Sequence, residues 1–98
     1  MTVKLVVLYT HPDDPEAFDR HYLSTHMPMV AKMPGLLHAE SGRFTGRDQP
    51  YYRSSGLVFA DRDALNAAAG SPEGQAVSAD YAQIAPEGSL ILIQNLDD

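Results

Sequence analysis

The segment Val3 to Thr10, VKLVVLYT, is apolar on both of its alternating faces: Val3, Leu5, Val7 and Tyr9 on one, Val6 and Leu8 on the other. A strand of that kind is covered on both sides. Leu90-Ile91-Leu92-Ile93 repeats the pattern near the other end of the chain. In between, the period changes. Phe18, Tyr22 and His26 recur every four residues with Leu23 beside them, the spacing of one helix face. Asp14, Glu16, Asp19 and Arg20 are then predicted to face water.

Turn and cap residues set the boundaries. In Asp13-Asp14-Pro15-Glu16 an Asp can cap free amides, Pro15 suits the first helical position, and Glu16 suits the positive end of the dipole. Pro28 disfavours helical geometry at Met27, so this helix is predicted to end near His26, with Pro28 opening a short new turn, PMVAKM. Pro34-Gly35 stops that turn. A second strand is predicted over 35–45. Leu36, His38, Glu40, Gly42 and Phe44 share one of its faces; Leu37, Ala39, Ser41 and Arg43 share the other. A loop over 46–50 leads to a third strand, Tyr51 to Ala60. Asp61 or Asp63 caps a second helix, Gly70 closes it, and Ser71-Pro72-Glu73 opens a third with Ala76, Val77, Tyr81 and Ile84 inward. No linker or repeat interrupts residues 1–98, so one domain is expected.

Strand, helix, strand, strand, helix pair, strand is the ferredoxin-like βαββαβ order of an α+β fold. Helices cover one face of its four-stranded antiparallel sheet. The apolar second face needs a partner, and a second copy of the chain is the simplest: a homodimer closed into a dimeric α/β barrel, the alternative being a monomer whose open face binds a ligand or another protein.

Composition narrows the partners. With 98 residues the chain buries only about 60–65% of its unfolded surface, so covering a further face would help. The net charge of −6 opposes nucleic-acid binding. Without cysteine there is neither disulfide nor thiolate chemistry. The N-terminal stretch lacks a basic region and a cleavage site, and no run reaches membrane-span length, so a soluble cytoplasmic protein is expected.

Candidate chemistry rests on four histidines and five tyrosines. His21 and His26 stand five apart, which puts them on different sides of an α-helix, and no metal-ligand motif is present. His26 lies on the inward stripe near a helix end. The dipole there favours the charged imidazole and burial the neutral one, a setting for a general acid or base. A buried histidine bonding its own helix carbonyls fits the same pattern. Tyr9, Tyr22 and His38 are candidate substrate contacts; a tyrosine in a cavity can orient a carbonyl or phenol. His11 and His21 are expected to face solvent, and Asp80 to be a helix-surface or tethering carboxylate. No G-x-G-x-x-G, P-loop or G-x-S-x-G occurs. An enzyme of this sequence is expected to work without a tightly bound nucleotide, in a small apolar pocket between sheet and helices.

The opening strand, the F-x-x-x-Y-x-x-x-H-x-P run from Phe18 to Pro28, the K-M-P-G-L from Lys32 to Leu36, and Gly70-Ser71-Pro72-Glu73-Gly74 followed by Asp80 together resemble the EthD family of dimeric α/β-barrel proteins. The resemblance spans nearly the whole chain. It implies a homodimer with His26 at the family histidine and a small hydrophobic ligand. It further implies cofactor-independent acid/base chemistry, of isomerase, cyclase or oxygenase type, on a cyclic or aromatic metabolite in catabolism, in a family whose members are often labelled reductases. The alternative is a non-catalytic ligand-binding or accessory protein for an oxygenase system. Haem held by a histidine is a further alternative.

Overall fold

A computed structural model describes residues 1–98. The elements are β1 (Val3–Thr10), α1 (Pro15–His21), a π-helical turn (Tyr22–His26), α2 (Met27–Val30), β2 (Leu36–Arg43), β3 (Tyr51–Phe59), α3 (Arg62–Gly70), α4 (Pro72–Ile84) and β4 (Leu90–Asn95). All strand pairs are antiparallel, in the order β2-β3-β1-β4. This is the ferredoxin-like sheet expected from the strand and helix order.

The caps form where the sequence places them. Asp14 accepts from the Ala17 amide, Asp61 from Ala64, and Ser71 from Gly74. Gly35 takes φ +77° at the turn into β2. Gly70 differs from expectation. It stays in α3 as its last residue, and Ser71 ends α3 while capping α4. The joint is tight: a Cβ on Gly74 would lie 2.0 Å from the Ala68 carbonyl oxygen.

The first helix also differs. Pro28 predicts an end near His26, yet Met27 keeps helical angles of φ −65° and ψ −36°. In a regular α-helix the Pro28 ring would meet the carbonyl four residues back. Here the Met27 amide instead reaches the Tyr22 carbonyl five residues back. That wider turn carries the helix through the proline.

β1 presents Val3, Val7 and Tyr9 to the helices, paired with Phe59, Ser55 and Arg53 of β3. Two buried clusters fill the space. One joins Val3, Leu57 and Phe59 to Val30, Leu65 and Ala68; the other joins Val7 and Tyr9 to Phe18 and Tyr22. Three expected facings are corrected. Leu23 is 56% exposed, because the π turn rotates it off the inward stripe. Ala76 is exposed, whereas Val77, Tyr81 and Ile84 are half-buried. Asp19 turns inward to bond Tyr52 and Arg53.

The other face of the sheet carries Val6 beside Leu92 and Leu8 beside Leu90, with no helix over it. Leu90 and Leu92 are exposed there. A Lys4–Glu40 ion pair lies on the same face above Gly56. No helix is long and apolar enough to cross a membrane.

Candidate active site

The π turn assembles the site. On an α-helix, residues five apart diverge by about 140°. The i→i+5 geometry of Tyr22–His26 brings His21 and His26 instead to one carboxylate, that of Asp80 on α4. His26 Nδ1 lies 2.8 Å from Asp80 Oδ2. His21 Nε2 lies 2.9 and 3.0 Å from Oδ1 and Oδ2. Asp80 thus has the tethering role that was one of its two expected readings, and His21, still 39% exposed, is joined to the site through it. Burial opposes ionisation of Asp80, but the hydrogen bonds and charges of His21 and His26 prevail and hold it below the usual carboxylate range.

An ionised carboxylate only accepts, so His26 Nδ1 carries the hydrogen and the ring's tautomer is fixed. Nε2 then holds the free lone pair, and it has no hydrogen-bond partner in the protein. The ring itself is buried, stacked on Tyr22 at 5.7 Å between centroids and tilted by 23°. Tyr22 is in turn held by Phe18, stacked at 5.9 Å, and by the Arg53 guanidinium 4.5 Å from its ring centroid. Arg53 is buried and paired to Asp19 at 3.2 Å.

His26 opens onto a cavity of about 140 Å³ between the sheet and α4. Leu5, Val7, Leu57 and Val77 give it apolar walls; His26, Tyr9, Ser55 and Tyr81 bring the polar atoms. The Tyr9 and Tyr22 hydroxyls are both buried without a hydrogen-bond partner. Ser55 is the polar neighbour of the Tyr9 hydroxyl but does not reach bonding geometry. Burial, and then the neighbouring Tyr22 and Tyr81 phenols, push the Tyr9 hydroxyl well above the ordinary phenol range. It is therefore a hydrogen-bond donor at any physiological pH. Orphaned buried hydroxyls are costly, and of these two residues Tyr9 lines the cavity.

The structure brings Tyr9, Tyr22 and His26 together and leaves His38 apart. Leu36 pairs with Phe59 but His38 pairs with Val58, because a bulge at Leu37 shifts the register. Leu36 thus packs into the core, while His38 is exposed on the helix-free face beside Glu40, 3.4 Å away. His11 bonds the Gln49 carbonyl at the loop end of the sheet, away from the cavity. No group of three or more His, Asp or Glu side chains is arranged to hold a metal ion. His21 Nε2 and His26 Nδ1 are both engaged by the carboxylate.

Fold and site together define a ferredoxin-like α+β protein with a histidine-bearing cavity beneath its helices. The EthD domain matches residues 11–86, and the chain belongs to the EthD family. An uncharacterised 11.0 kDa protein in the thcB-thcC intergenic region of Rhodococcus erythropolis is 35% identical over 92 residues, covering 91% of this chain and 89% of that protein. The crystal structure of an EthD family protein from Bacillus halodurans superposes with a TM-score of 0.94 at 32% identity, over 99% of this chain and 100% of that one. SnoaB, a cofactor-independent oxygenase from Streptomyces nogalater, shares the fold with a TM-score of 0.72 at 18% identity, over 99% of this chain and 94% of its own. Three other solved structures of this fold, at 21%, 17% and 18% identity, are described as dimeric.

Proposed function

We propose that the cavity is the active site of a homodimeric enzyme that performs acid/base chemistry on a small hydrophobic ring compound, without a nucleotide or redox cofactor. The observation that carries this reading is the His26 Nδ1–Asp80 Oδ2 contact of 2.8 Å, in a ring that lines an apolar cavity. In this reading Nε2 takes a proton from an acidic C–H or O–H of the substrate. Asp80 stabilises the imidazolium that results, and Tyr9 donates to the oxygen on which negative charge develops. Isomerisation and cyclisation begin with this step, as does oxygenation by molecular oxygen. SnoaB, which is named a cofactor-independent oxygenase, supports a cavity of this fold working without a cofactor.

Cavity size supports a small ring compound as the ligand. An apolar cavity of about 150 Å³ accommodates benzene. The 140 Å³ beside His26 accordingly suits one six-membered ring with an oxygen substituent reaching Tyr9. A haem macrocycle is far larger than that space. The second copy is proposed to cover the helix-free sheet face, where Val6, Leu8, Leu90 and Leu92 gather.

The reading is tested by incubating the protein in D2O with a panel of cyclic ketones, lactones and phenols, and following deuterium uptake by mass spectrometry. Uptake into at least one of them, faster than in buffer, is expected. Tight binding with no uptake or conversion across the panel would favour a carrier or accessory role instead.

A further inference from the structure

His21 is the imidazole of this cluster that water reaches. Its side chain is 39% exposed, against 11% for Asp80 and 4% for His26. The three groups therefore form a line from the surface to the cavity. His21 touches both carboxylate oxygens, so Asp80 cannot rotate without losing a contact. Oδ2 receives hydrogens from both rings, whereas Oδ1 is bonded by His21 alone. Around the cluster, Tyr9 from β1 is an uncharged phenol, and Tyr81 from α4 is another. Arg53 from β3 is paired to Asp19. One negative charge thus serves two imidazoles, with no other cation bonded to it.

We infer that His21 is a positioning residue: it fixes the Asp80 carboxylate against His26 Nδ1, and its own protonation at the surface sets how firmly that carboxylate holds charge on His26. The inference rests on reading His26 as the acid/base group of the cavity. Its physical basis is the count of charges. With one imidazole protonated, the cluster is neutral. A second proton leaves it with an unbalanced positive charge in a half-buried site, so each protonation opposes the other. A protonated His21 draws the carboxylate toward the surface and weakens its support of a charged His26. A neutral His21 gives Asp80 only a hydrogen bond and releases that support. The π turn gives this arrangement its cause, since a regular helix would place the two rings on different sides.

Imidazole NMR titration of the full chain tests the coupling without any substrate. In the wild type the His26 ring signals are expected to show two inflections, one of them where the His21 ring titrates. His21→Gln keeps a donor for Asp80 but carries no charge; His21→Ala keeps neither. In both variants the second inflection should vanish. The bonded Nδ1–H signal should persist in His21→Gln and exchange faster with solvent in His21→Ala. A single His26 inflection in the wild type overturns the inference, and that result stands even if a variant fails to fold. A second inflection that persists in both variants overturns it too. Coupled rings in a protein whose His26→Ala variant keeps its exchange activity would remove the catalytic reading alone. Uncoupled rings with an inactive His26→Ala variant would remove the role of His21 alone.

Discussion

His26 and Asp80 stand 54 residues apart in the chain and meet at 2.8 Å, Nδ1 to Oδ2. The contact joins the π turn to the middle of α4, so it both orients the imidazole and ties the first helical segment to the last. A carboxylate behind a histidine fixes the tautomer whose free lone pair is on the far nitrogen and stabilises the ring once it is charged. Asp80→Asn is expected to preserve the shape and remove the charge. Proton exchange should fall by about 10²- to 10⁴-fold, measured at saturating substrate.

The same residue gives an acid limb to stability. The folded-state Asp80 is held below its ordinary value of 3.8, so the unfolded chain binds the proton first. Its contribution is therefore present above that ordinary value and disappears as pH falls through the lower, folded value. Urea unfolding from pH 6 down to pH 3 should show wild type and Asp80→Asn converging as the solution becomes acid. A constant gap would contradict the assignment.

Tyr9→Phe separates packing from function. The hydroxyl has no partner in the protein, so its removal should leave stability unchanged or slightly higher. If it receives the substrate oxygen, turnover should drop by about 10²-fold while the melting temperature holds. Unchanged turnover would show that the ligand oxygen lies elsewhere.

Gly74→Ala should be destabilising, because its methyl would lie 2.0 Å from the Ala68 carbonyl oxygen and 2.8 Å from Ala69 Cα, both rigid backbone atoms. Overpacking of this kind costs about 1–3 kcal/mol. For a chain of this size that is a fall of about 4–8 °C in Tm per kcal/mol, read by calorimetry.

Leu92→Glu tests the proposed dimer face. Leu92 sits beside Val6 on the helix-free side of the sheet, and it touches neither cluster of the core. Sedimentation equilibrium should give a dimer for the wild type and a monomer of unchanged circular dichroism for the variant. A monomeric wild type would remove the second copy from the account.

The sheet and its helices were legible because each local signal agreed with the next: two-faced apolar strands at both ends, a capping residue before each main helix, and Gly35 at the turn into β2. His26 and Tyr22 were legible as an inward helical stripe, and Tyr9 as part of the two-faced first strand. What was hidden is what only tertiary structure creates. The π turn has no local signature beyond a proline that reads as a helix stop, so His21 could not be placed with His26. Asp80 reads as one more acid on a helix until α4 is docked. Asp19 looks solvent-facing because its partners, Tyr52 and Arg53, come from a distant strand. The bulge at Leu37 puts Leu36 and His38 on opposite faces, a change that strict alternation cannot register.

The most direct measurement of the central claim is the rate of deuterium exchange into a ring substrate by wild type and His26→Ala, both verified as folded. If Nε2 of His26 moves the proton, the variant should lose about 10²-fold or more of the rate while still binding the ligand. A folded His26→Ala protein that exchanges at the wild-type rate would contradict the account.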